Sequence, residues 1–182
     1  MNKHEAIERT TLSLASSYPL NEADDTFLAN ATCRHVHIVD LPAPVPRVWD
    51  ALVADDALVS WSPVVTDANW TSPRPFGVGA TRNVTYGHVF RVTERLYRWD
   101  DDERMSFTVD TASIPGMRRL AEDIRLVDKA GGTRLTWTFA MEGETPLRQF
   151  VELVNPVSRF ITSTIASGVY ARLLRRHDWM VR

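Results

Sequence analysis

Hydrophobic residues fall on every second position through most of this chain and on every third or fourth position near its end. Alternation predicts strands at Thr32–Leu41, Val64–Thr71, Ala80–Tyr86, Val89–Trp99, Arg104–Thr111, Leu120–Val127 and Thr133–Met141. Short turn-forming stretches separate them: Pro73 to Gly79, Gly87-His88, Asp100-Asp101-Asp102, Ile114-Pro115-Gly116 and Gly131-Gly132. Strands joined this closely form an antiparallel meander. The last segment, Asn155 to about Arg176, reads differently. Val157, Phe160, Ile161, Thr164, Ile165, Gly168, Val169 and Leu173 make one apolar helical stripe, with Asn155 suited to the cap and Pro156 to the first turn. Such a helix is roughly 33 Å long at 1.5 Å per residue, about the width of a small domain. It is the only long helix the pattern offers, so the curved sheet is expected to pack around it.

Between the first and second strands, Pro42, Pro44 and Pro46 stop the extended chain. Pro46 opens a short helix through Val48, Trp49, Ala51 and Leu52, and Asp55-Asp56 can cap a second holding Leu58, Val59 and Trp61 before Pro63. Residues 1–31 read as an N-terminal extension. Met1 to Ser17 can be helical, and Pro19, Asn21 and the run Glu22 to Asp25 suit a linker to the main domain at 32–182. This extension could cover a pocket mouth, form an oligomer contact such as a homodimer interface, or fray.

Composition narrows the function classes. A chain of 182 residues with 44% hydrophobic content can bury one core, and a net charge of −2 argues against nucleic acid or an acidic membrane surface as the main partner. The single Cys33 excludes an internal disulfide and a cysteine-rich metal site. No signal-peptide run and no stretch of ~18 apolar residues is present, which fits a cytoplasmic protein without a membrane span. Gly77-Val-Gly79 sits between strands and not before a helix, so it is not a phosphate loop, and no serine-hydrolase elbow is found.

Four stretches together carry a family resemblance: Leu41-Pro-Ala-Pro-Val-Pro-Arg-Val-Trp49; Trp61-Ser-Pro63; Gly77-Val-Gly-Ala-Thr-Arg82 with Thr93-Glu-Arg-Leu96 and the Asp100 turn; and Gly131-Gly-Thr-Arg-Leu-Thr-Trp137. In order and spacing they resemble the START-like (SRPBCC) superfamily, which includes birch-pollen-type allergens, abscisic acid receptors and bacterial polyketide cyclase/dehydrase proteins. The likeness spans about residues 32–178. It implies an α+β helix-grip fold: a seven-stranded antiparallel sheet curved around the C-terminal helix, with two short helices after the first strand and an apolar cavity inside. Residues 1–31 and the added length at Pro146–Val154 depart from that pattern.

The resemblance also turns Leu41, Val39, His37 and His35 inward. By strand parity the other inward polar residues are Glu94, Glu122, Thr111 and, if the turn is the three residues Tyr86 to His88, Arg82 and Val84, which then lie opposite Val92 and Phe90; a two-residue turn reverses them. An inward Glu94 is either a buried ion pair with Arg82 or a group for ligand contact and proton transfer. His37 could act as a base near neutral pH, although a histidine in a sheet is more often structural. His37 and Glu94 are thus the candidate catalytic pair. Arg82, Val84, Phe90, Val92, Phe107, Val109, Thr111, Glu122, Trp137, Phe139, Phe160 and Thr164 are the candidate ligand-binding set, several of which read equally well as core. Neither a metal nor a cofactor is expected. The resemblance implies a hydrophobic ligand, with cofactor-independent cyclase, dehydratase or isomerase chemistry on a polyketide-like or aromatic substrate. A non-catalytic carrier or sensor and a protein-interaction module are the alternatives.

Overall fold

The computed structural model describes residues 17–144 and 155–177. The expected helices before Ser17 and the added segment at 146–154 lie outside the described residues. In chain order the elements are β1 (Tyr18–Pro19), α1 (Asp25–Asn30), β2 (Cys33–Leu41), α2 (Val45–Val53), β3 (Val65–Trp70), β4 (Thr81–Tyr86), β5 (Phe90–Asp100), β6 (Arg104–Ala112), β7 (Met117–Lys129), β8 (Gly132–Gly143) and α3 (Asn155–His177).

Seven strands pair in the order β2-β8-β7-β6-β5-β4-β3, and every pairing is antiparallel. The short turns predict neighbours in sequence to be neighbours in space. β2 instead crosses to β8, so the first and last strands lie side by side. One face of the sheet packs on α2 and α3, through Leu41, Val84, Val92, Leu96, Phe107, Val109, Leu135 and Trp137 from the strands and Ile165, Ala166, Val169 and Leu173 from α3. The helix-grip arrangement is therefore present. Leu41 and His35 are buried while Val36 and Ile38 are 37% and 62% exposed, which gives β2 the expected direction.

Two local features differ from the sequence pattern. The expected second helix after α2 is a run of hydrogen-bonded turns from Ala54 to Trp61, because Leu58 has φ +67°, which interrupts helical geometry. Where β8 begins, Gly132 has φ +151°, and a Cβ there would collide with the carbonyl oxygen of Leu41. That close approach lets the corner after β2 fold over the last hairpin.

The N-terminal segment is more than a linker. Tyr18 and Pro19 pair with Ala112 and Thr111 at the end of β6, Leu20 N–H donates to Asp110 O (2.9 Å), and Asn21 N–H donates to Arg118 O (2.8 Å). β6 and β7 pair only over Arg104–Thr108 with Ala121–Arg125, so residues 18–21 bridge the two strands where they part. α1 then lies on the outer face. Asp24 caps it by accepting from Phe27 N–H (2.8 Å), and Phe27 and Leu28 pack on Ala121 and Ala140, whose small side chains leave room for a helix. Asp25 accepts two bonds from Arg104 (2.7 and 3.1 Å), which also holds Asp123 (2.6 Å).

Candidate functional site in the concave face

The cross-strand register lines up the inner polar residues. Trp70 on β3 lies opposite Arg82 on β4, and Arg82 opposite Glu94 on β5. Phe107 on β6 lies opposite Glu122 on β7, and Glu122 opposite Phe139 on β8, next to His35 on β2. The β4–β5 turn has three residues, Gly87, His88 and Val89, because Tyr86 pairs with Phe90. Arg82 therefore faces inward as expected for an odd turn. The pairing itself is shifted by two residues from expectation: Val84 meets Val92, and Arg82 meets Glu94.

Arg82 and Glu94 form an ion pair, Nε to Oε2 at 2.5 Å, with side chains 4% and 0% exposed. Of the alternatives for Glu94, the buried pair is the one observed. The guanidinium also sits over Phe107, 4.1 Å from its ring centre, and 5.5 Å from that of Trp70. Burial disfavours the charge on Arg82, but Glu94 and Glu122 outweigh that and hold its pKa above the usual value. Glu122 accepts from Trp137 Nε1–H at 3.1 Å and from the Tyr86 hydroxyl at 3.3 Å. Burial first, and the neighbouring Glu94 second, push its pKa up to about 8. Burial likewise raises the Tyr86 phenol, with Glu122 adding to the shift, so it stays neutral and can only donate to an ionised Glu122.

His37 is half-buried. Its Nε2 lies 2.7 Å from Thr162 Oγ on α3, and its ring packs edge-on to Phe139 at 6.0 Å. The Thr162 hydroxyl also donates to Arg159 O at 3.1 Å. With its proton used there, Thr162 accepts from His37, which assigns the ring proton to Nε2. Burial lowers the His37 pKa, and the nearby His35 and Arg159 lower it further, so the ring is neutral at pH 7. His37 and Glu94 are thus each held by a different partner.

Val84, Val92, Phe107, Val109, Trp137 and Phe139 are all buried on this face. Phe90 is half-buried and stacks on Tyr86 at 5.6 Å; Thr164 is half-buried on α3. Two expected ligand residues lie elsewhere. Thr111 faces outward opposite Thr93, because a bulge at Asp110 shifts the parity of β6 and brings Ala112 inside in its place. Phe160 is 68% exposed, since the buried stripe of α3 runs through Thr162, Ile165, Ala166, Val169 and Leu173. Sequence reasoning passed over Thr162, whose three-residue step to Ile165 was the available signal, and Trp70, which shares the inner parity of Ala68. A surface groove of about 460 Å³ beside α1, lined by Asp24, Asp25, Thr26, Val78, Tyr97, Arg98, Trp99 and Asp100, contains none of the inner row. Among the described residues no three His, Cys, Asp or Glu side chains are grouped to hold a metal ion, and no helix is long and apolar enough to cross a membrane.

A curved antiparallel sheet closed by a C-terminal helix, with a buried polar row inside, defines a protein of the START-like class. The chain belongs to the polyketide cyclase/dehydrase and lipid transport family, whose model matches residues 32–175. It is 31% identical over 160 residues to uncharacterised proteins of Mycobacterium tuberculosis and Mycobacterium bovis, covering 88% of this chain and 93% of theirs. Among solved structures it resembles a protein from Thermus thermophilus (TM-score 0.67, 19% identity, 79% of this chain and 98% of that one). It also resembles a START superfamily protein from Mycobacterium smegmatis (TM-score 0.65, 11% identity, 78% and 97%). At these identities the two structures speak to fold alone.

Proposed function

We propose that the protein binds a hydrophobic small molecule between the concave face of the sheet and α3. The observation that carries this is a gradient of exposure along inward-facing positions. Leu41, Val84, Val92, Leu135 and Trp137 are sealed, whereas His37, Tyr86, Phe90 and Met141, on the same face and strands, remain half-exposed, as does Thr164 on α3. Apolar and aromatic walls with a few placed polar groups are the usual make-up of small-molecule sites. Membership of a family that includes lipid transport supports the same reading.

Within it, cofactor-independent cyclisation, dehydration or isomerisation of a polyketide-like or aromatic substrate is the chemistry the site suits, because Glu122 keeps its proton near neutral pH and is in contact with Tyr86. His37 and Glu94 would position the substrate or move protons in that case. A carrier or sensor would use the same pocket without turnover.

Native mass spectrometry of protein purified from its own host, with solvent extraction of what is bound, tests the binding step. A mass adduct that extracts into organic solvent is expected. A protein that is empty from its host, and that gains no adduct when incubated with Nile red or with 2-naphthol, would contradict it.

A further inference from the structure

The buried row leaves two polar atoms unsatisfied. Among the described residues, Arg82 Nη2 and Glu94 Oε1 have no hydrogen-bond partner, although the residues are only 3% and 0% exposed. Buried polar atoms without a partner are rare and expensive, and each calls for an explanation. The Nε and Nη2 hydrogens of a guanidinium point the same way, as a fork that takes both oxygens of a carboxylate. Here Nε holds Oε2 and the second prong does not close. A donor and an acceptor therefore remain on two residues that face each other across paired strands, within electrostatic reach of the half-exposed Tyr86.

We infer that this half-open fork reads an uncharged oxygen, that of a hydroxyl, phenol or enol, at the inner end of the hydrophobic ligand; the inference rests on the binding reading above. One hydroxyl satisfies both atoms: a lone pair accepts from Arg82 Nη2–H, and the O–H donates to Glu94 Oε1. A carboxylate cannot do this. It brings only acceptors to Glu94 Oε1, and its charge joins Glu94 and Glu122 around a single guanidinium. That Glu122 is already driven toward its neutral form by burial and by Glu94 shows how little further negative charge the row tolerates. A hydrocarbon leaves both atoms unsatisfied. The rings of Phe107 and Trp70 beside the guanidinium favour a flat ligand end, such as a phenol, over a bulky one.

The test uses three probes of one shape, 2-naphthol, 2-methylnaphthalene and 2-naphthoate, titrated into the full-length protein at pH 7 by isothermal calorimetry. Naphthol is expected to bind about tenfold or more tightly than either of the others, the effect of a hydrogen bond to a charged group. In the Arg82→Met/Glu94→Met double variant, checked for its fold by circular dichroism, naphthol should bind no better than methylnaphthalene. If that variant does not fold, the wild-type series decides by itself. Naphthoate binding as tightly as naphthol, or naphthol binding no better than methylnaphthalene, would overturn the inference while leaving the hydrophobic pocket in place. If none of the three binds, the pocket reading fails and takes the inference with it.

Discussion

Replacing Glu94 by Gln separates a structural ion pair from a ligand-facing carboxylate. The wild-type contact is 2.5 Å long with side chains 4% and 0% exposed, so the amide would leave the Arg82 guanidinium charged in a site closed to water. Removing one partner of a buried pair typically costs about 3–5 kcal/mol. The lower end applies here, because Glu122 lies within electrostatic reach of Arg82 and can ionise once Glu94 no longer opposes it. A loss of about 3 kcal/mol is expected, or roughly 6–12 °C in Tm for a chain of this size. Urea titration at pH 7 followed by far-ultraviolet circular dichroism measures it, and 0.5 M NaCl should change the difference little, since salt screens buried pairs weakly. The Arg82→Met/Glu94→Met double variant removes both charges and should lie closer to wild type than Glu94→Gln does. A loss below about 1 kcal/mol for the single variant, within the range of ordinary surface substitutions and exposed pairs, would refute the buried-pair reading.

Three further outcomes are expected. Glu122 has a pKa raised from 4.5 to about 8, so the folded state binds a proton that the unfolded state releases. Its contribution is full below about pH 4.5 and lost as pH rises toward 8. His35 and His37 have lowered pKa values and act in the opposite sense below pH 6.5, so between pH 6.5 and 8 stability should fall with pH, and Glu122→Gln should flatten that slope in pH-dependent urea titrations. Trp137→Ala should cost about 3–5 kcal/mol, since the ring is 1% exposed and its indole N–H serves Glu122; a loss under 1 kcal/mol by thermal denaturation would contradict its place in the core. Gly168→Ala in α3 should destabilise by about 1–3 kcal/mol despite the better helix propensity of alanine, because the new Cβ would collide with the Trp61 ring; an unchanged Tm would mean that α3 and Trp61 are not in contact as described.

Much of the strand framework could be read from alternation, because each strand buries one face and the period of two leaves little freedom. The inward parity of Glu94 followed from it, and the pairing of Arg82 with Glu94 stood as one of two alternatives; the direction of Arg82 hung on the length of the β4–β5 turn, which alternation does not fix. Thr111 misled for a definite reason: the bulge at Asp110 inserts one residue, and the residues of β6 carry no mark of it, since Asp110 is anchored by Arg95 from another strand. Phe160 misled because an apolar stripe on a helix fixes a broad arc and not which edge of it faces the sheet. The contacts of Glu122 with Tyr86 and Trp137 join residues 36 and 15 positions away, which no local pattern encodes. Pro19 to Asp25 read as a linker, within the extension that ends at Ala31, for a similar reason. Their order comes from the parted ends of β6 and β7 and from the small Ala121 and Ala140, features that belong to the sheet and not to the segment itself.

Occupancy of the concave face is most directly tested by an amide chemical-shift titration of the 15N-labelled protein with 2-naphthol. The expected result is saturable shifts at His37, Tyr86, Phe90, Met141 and Thr164, with Ile38, Arg125 and Thr136 on the outer face unmoved. Shifts confined to the outer face or to the groove beside α1, or none up to the solubility of the probe, would contradict a ligand site between the sheet and α3.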